Sequence, residues 1–123
     1  VGPGLGLGPG GEAILAKALE IAPLNVEYIL QHMELLPQNR AMTEGLRKAR
    51  ELSAVERPDD AVRILSQVIV LAPHDMSVRQ ELFVPLRQTG NTNRLRQELT
   101  AVALGNLLDQ ELLAVVGRDQ VDR

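Results

Sequence analysis

The chain has 123 residues, enough for one domain with its own core. Aromatics are nearly absent (one Tyr, one Phe, no Trp), so the core has to come from Leu, Val, Ile and Ala. The formal charge of −3, with both signs interspersed, offers no basic face for nucleic acid. There are no cysteines, which excludes disulfides and thiolate metal centres, and no apolar run approaches the roughly 20 residues that span a bilayer.

Residues 1–11, VGPGLGLGPGG, are too rich in Gly and Pro to order as helix or strand and read as a linker or tail. The other reading is an extended peptide anchored by Leu5 and Leu7 in a groove. The chain opens on Val instead of Met and reads as an excised domain or a processed product, and nothing in it assigns a compartment. Residues 12–123 are expected to form one domain.

Its first helix is predicted over 12–22, with Ile14, Leu15, Ala18, Leu19 and Ala22 on one stripe and Pro23 as the stop. Asn25 is placed to cap a second helix to about Leu36, with Ile29, Leu30, Met33 and Leu36 inward. Pro37, Gln38 and Asn39 read as a loop. A third helix is predicted from Ala41 to Val55, carrying Met42, Leu46, Ala49 and Leu52.

The stretch DDAVRILSQVIVLAPHD, 59–75, organises the rest. Asp59 or Asp60 starts it as a cap, Ala61, Leu65, Val68 and Ile69 make its face, and Pro73 ends it. Asp75 then caps a fifth helix to Gln88 that buries Val78, Leu82, Phe83 and Leu86. Pro85 inside that helix should kink or shorten it. Gly90 is the left-handed stop before a sixth helix, 92–104, with Leu95, Leu99, Val102 and Ala103 inward. Gly105 should break the chain there, Asn106 and Asp109 should cap a last helix over 107–116, and that helix ends at Gly117. No segment alternates with period two, so no sheet is predicted.

ALEIAPLN at 18–25 recurs as VIVLAPHD at 68–75, with the two prolines 50 positions apart. The block Met42–Asp75 has 34 residues, the length of a tetratricopeptide repeat. Ala49, Leu52, Ala61, Leu65, Val68 and Pro73 fall where that family places its packing residues and closing proline. In the block 76–109, Leu82, Phe83, Leu86, Gly90 and Ala103 do the same. Residues 11–25 look like the second helix of an earlier repeat, through Leu15, Ala18 and Pro23. The chain therefore resembles the tetratricopeptide (TPR) family over roughly residues 12–109. It departs from the pattern at Gly45 and Lys48, where large apolar residues are usual, at Arg96, where a small one is usual, and in lacking a closing proline near Leu104. Residues 26–41 are extra positions, enough for one additional helix.

The resemblance implies an all-α, right-handed solenoid of helical hairpins, about seven helices in total, closed by a C-terminal capping helix. It also implies that the first helix of each repeat lines a concave groove for a partner peptide or helix. On this chain those positions are Thr43, Arg47, Arg50 and Ala54, then Ser77, Gln80, Glu81, Val84 and Gln88. Arg47 and Arg50 would suit acidic groups on the partner. The competing reading is exposed helix charges paired with Glu44, Glu51 or Glu56.

No catalytic constellation is visible. His32 and His74 have no partners at metal-ligand spacing, the serines lack a nucleophile-elbow context, and the N-terminal glycines precede no phosphate-loop Lys. The expected function is a non-catalytic protein-interaction scaffold or adaptor, with no cofactor and no metal. The alternatives are a regulatory or substrate-presenting module of a larger enzyme and a secretion or assembly chaperone. In the segment 107–116, Leu107, Leu108, Leu112, Leu113, Val115 and Val116 are too many for one stripe, which opens self-association as an alternative to simple capping.

Overall fold

The computed structural model describes residues 10–121, with side chains as far as Val115. Every regular element among the described residues is a helix: α1 (Gly11–Ile21), α2 (Val26–Leu35), α3 (Gln38–Ala54), α4 (Pro58–Leu71), α5 (Met76–Gln80), α6 (Phe83–Thr89) and α7 (Thr92–Val121). The class is all-α. Taking α5 and α6 as one interrupted helix leaves six, against the seven expected. The Gly/Pro segment lies outside the described residues as far as residue 9, while Gly11 already belongs to α1 and is buried.

Local signals account for most helix ends. Asn25 Oδ1 accepts from the Tyr28 N–H at 3.1 Å and starts α2. Asp75 Oδ1 accepts from the N–H groups of Ser77 at 3.0 Å and Val78 at 3.3 Å and starts α5. Gly90, at φ 75°, ends α6, where its N–H and that of Asn91 bond back to the carbonyls of Arg87 and Leu86. The α3–α4 turn closes the same way with Glu56 at φ 62°, a left-handed position without a glycine. Asp75→Ala is expected to cost about 1 kcal/mol, read from a shifted denaturation midpoint. The Ser77 hydroxyl bond, then the Val78 and Ser77 amides, hold the Asp75 carboxyl below its ordinary value. The cap is therefore complete above the unfolded carboxylate pKa and fades as pH falls through the lowered folded one.

Three boundaries correct the sequence reading, and a fourth, at Pro85, is the interruption expected there. Helix α3 begins at Gln38, not Ala41, because the Pro37 carbonyl accepts from the Ala41 N–H at 2.8 Å and the supposed loop is the first turn. Helix α4 begins at Pro58, a first-turn position that needs no N–H, so Asp59 and Asp60 lie inside the helix near its positive end and do not cap it. Pro85 breaks the fifth helix at Glu81–Leu82, because a proline clashes with the carbonyl four residues back; Pro85 itself sits in the first turn of α6. Gly105 does not break the chain. Helix α7 runs through it, and the expected capping pair Asn106–Asp109 is helix interior. A Cβ at Gly105 would meet the Met76 side chain, 2.8 Å from its Cγ, so this glycine makes room for α5.

Helix α4 is the centre of the packing and touches α2, α3, α5 and α6. Ile64, Leu65, Val68 and Ala61 are sealed there, together with Leu52 and Ala49 of α3 and Leu82 and Leu86 beyond it. Residues 26–41 are no appendage: α2 packs on α1, α3 and α4 and buries Val26, Ile29 and Met33. Both departures from the repeat pattern in α3 have packing reasons. A Cβ at Gly45 would lie 2.5 Å from Val68 Cγ2 and 2.9 Å from Met33 Cε, so the glycine lets α3 approach α4 and α2. Lys48 is buried, with Nζ donating to the Pro23 carbonyl at 2.7 Å. Gly45→Ala gains helix propensity of about 1 kcal/mol but overpacks a stiff β-branched Val68, which costs about 1–3 kcal/mol. A net loss of stability is expected, and a raised melting temperature would contradict this packing.

Candidate functional site

Helix α3 and the broken helix α5–α6 face each other across a hollow of about 230 Å³. Ala49, Arg50 and Ser53 of α3 form one wall, Gln80, Glu81, Val84 and Pro85 the other, and Leu65 of α4 closes the floor. The break that Pro85 imposes shapes the second wall, since Glu81 sits at the interruption and Val84 and Pro85 in the restarted turn. The floor is apolar and buried, while Val84 at the rim is 55% exposed.

Four of the nine sequence-derived groove residues meet here: Arg50, Gln80, Glu81 and Val84. Arg47, Ala54 and Ser77 are exposed outside this hollow. Thr43 lines a separate depression with His32, Leu36, Asn39, Arg40 and Glu44. Gln88 lies in another beside Glu56 and Pro58. Two of the hydroxyls serve their own helices: Thr43 Oγ1 donates to the Asn39 carbonyl at 3.0 Å, and Ser77 Oγ donates to the Asp75 cap. Ser53, Ala49 and Pro85 also line the hollow but were not singled out as groove positions. The proline four residues after Glu81 is the signal that could have found that wall.

The charges are neutralised within the chain. Arg50 Nε donates to Glu81 Oε1 at 2.9 Å and its Nη2 to Oε2 at 3.2 Å, a two-pronged bond across the mouth of the hollow. That bond raises the Arg50 pKa further. Arg47 is bonded by Glu44, lies 3.7 Å from Glu51 Oε1, and is raised in the same way by the Glu44 bond. Neither guanidinium is an uncommitted cation waiting for an acidic ligand. Pairs this exposed are each worth little, up to about 1 kcal/mol, so a competing partner could displace them.

His32 is buried, with Nδ1 4.0 Å from Glu44 Oε2 and without a hydrogen-bond partner. His74 is exposed beside the Asp75 cap. Among the described residues no group of three or more His, Cys, Asp or Glu could hold a metal ion, and no helix is long and apolar enough to cross a membrane. Ser66 donates to the Val62 carbonyl at 2.7 Å and also receives Arg94 Nη2 at 3.3 Å, a structural role. No protein-family model matches the chain, and no curated protein or solved structure matches it either.

Proposed function

We propose that this chain is a non-catalytic protein-interaction module of the TPR type, a short right-handed solenoid whose α3/α5–α6 hollow receives an apolar side chain of a partner helix or peptide. One observation carries the reading: four residues chosen as groove positions, from two separate stretches of sequence, line a single hollow with an apolar floor and a polar rim. The packing order supports the repeat reading. Contacts run from each helix to the next once α5 and α6 are taken as one, and α2–α4 is a larger step of the kind that stacked hairpins make. The pairs α1–α2, α3–α4 and α5/α6–α7 fit three hairpins better than one early half-repeat with an insertion.

The rim chemistry modifies the expected partner. With Arg47 and Arg50 each held by carboxylates of the chain itself, the ligand needs an apolar anchor flanked by hydrogen-bonding groups more than it needs acidic ones. A peptide-display selection against the whole chain tests this. Peptides recovered on the parent are expected to lose at least about tenfold in affinity, 1.4 kcal/mol, on Val84→Glu. Val84 is exposed, so its replacement should leave the fold intact. Equal binding to the Val84→Glu variant would remove the hollow from consideration.

A further inference from the structure

Arg47 and Arg50 stand one turn apart on α3, yet they are neutralised in different ways. Arg47 has two carboxylates on its own helix, Glu44 and Glu51. Arg50 has none at helical pairing distance there, because Leu46, Arg47, Ser53 and Ala54 occupy those positions. Among the described residues its carboxylate partner is Glu81 alone, on the opposite wall of the hollow at the break between α5 and α6. Glu81 has no local alternative either, with Ser77, Val78, Val84 and Pro85 at the same spacings. Among the described residues no other charged side chain lines the hollow.

We propose that Glu81 is the specificity-determining residue of the hollow: by holding Arg50 it disfavours acidic partners and selects segments whose apolar anchor has uncharged flanks. This assignment rests on the hollow being the partner site. The bond takes two of the five guanidinium donors in matched geometry, at 2.9 and 3.2 Å. A carboxylate arriving on a partner has to displace one that is fixed on the same body, at an effective concentration on the order of millimolar. It also meets the charge of Glu81 beside it. A basic partner meets the charge of Arg50 in the same way. An uncharged flank avoids both costs and still finds hydrogen-bonding atoms, since the Arg50 side chain is 64% exposed and that of Glu81 31%. A pair this exposed adds little to stability. Glu81→Gln should therefore keep the fold and change only the charge offered at the mouth, leaving a guanidinium that no carboxylate of its own helix can reach.

Two selections from one random-peptide library are the test, one on the whole chain and one on Glu81→Gln. Binding of the recovered peptides is then measured on both proteins and on the Arg50→Gln, Glu81→Gln double variant. The parent should return apolar anchors with uncharged flanks. Glu81→Gln should return Asp or Glu beside the anchor, and those peptides should bind it at least about tenfold tighter than they bind the parent. That gain should shrink with rising salt and vanish in the double variant. It is a gain of binding, which an unfolded variant does not produce. Glu81→Ala, carried in parallel, should behave as Glu81→Gln does. The same peptides from both selections, no peptides from either Glu81 variant, or an acidic preference that survives the loss of Arg50 would overturn the assignment. Val84→Glu separates this from the reading of the hollow itself. If Val84→Glu abolishes binding while the Glu81 variants keep the parent's preference, the hollow stands and the role of Glu81 falls. If Val84→Glu changes nothing, or the parent selects no peptide, the hollow falls and the role of Glu81 falls with it.

Discussion

Leu65→Ala is expected to lower the unfolding free energy by about 2–5 kcal/mol, among the largest losses a single truncation can cause in this chain. Leu65 is 2% exposed on α4, the helix that touches α2, α3, α5 and α6. Its removal takes apolar atoms out of the core and leaves a void beneath the α3/α5–α6 hollow. Because that hollow opens to solvent, water can partly fill the space, which argues for the lower half of the range. The measurement is urea denaturation: the midpoint should fall while the slope stays constant, as expected when only native packing changes. Two controls bracket it. Leu65→Met keeps the volume and should cost less than about 1.5 kcal/mol. Ile14→Ala, on the exposed side of α1, should stay within about 0.5 kcal/mol. A loss below 1 kcal/mol for Leu65→Ala would mean that α4 is not the centre of the core. The same variant should weaken any ligand of the hollow beyond its effect on folding, because the floor is part of the site.

The order of helices was legible because their ends carry chemistry that acts within a turn. Asn25, Asp75 and Gly90 do what their residue types dictate, and the faces of α2 and α4 follow from spacing alone. Two helix starts, at Gln38 and Pro58, were misread for local reasons; the other misread places are those where a distant neighbour decides. Gly105 reads as a breaker until Met76 is seen lying across it. Lys48 reads as a defect in the apolar pattern until its ammonium is found on the Pro23 carbonyl. In α7 the apolar pattern points to Leu99, which is 47% exposed, while Glu98 takes the buried position, because arginines from α5 and α7 itself meet its carboxylate. The hollow was half legible. The tetratricopeptide resemblance points to Arg50, Gln80, Glu81 and Val84, which line it together. The Arg50–Glu81 bond spans 31 positions of sequence, beyond any search limited to one helical turn, so the candidate cation of the groove is already neutralised.

Glu98→Ala is expected to be nearly as damaging as the Leu65 truncation, by a different route. The Glu98 side chain is 10% exposed and receives Arg79 Nη1 at 3.0 Å and Arg94 Nε at 3.3 Å. Arg79 also donates from Nε to the Pro73 carbonyl at 3.1 Å, and Arg94 from Nη2 to Ser66 Oγ at 3.3 Å. One carboxylate therefore joins α4, the α4–α5 turn, α5 and α7. Removing it leaves two guanidiniums facing each other in a half-buried site. Breaking a buried pair costs about 3–5 kcal/mol, and since both arginines keep some contact with water the expected loss is near 3 kcal/mol. Glu98→Gln keeps the shape and one acceptor and should cost distinctly less. The effect should be local first: α7 amides lose protection from hydrogen exchange while those of α3 and α4 keep theirs. A cycle of Arg79→Ala, Glu98→Ala and the double variant separates charge from packing. If the ion pair dominates, the double variant costs less than the sum of the singles, because it no longer strands a charge. Simple additivity, or an α7 that stays protected in Glu98→Ala, would mean that Leu95 and Val102 alone dock this helix.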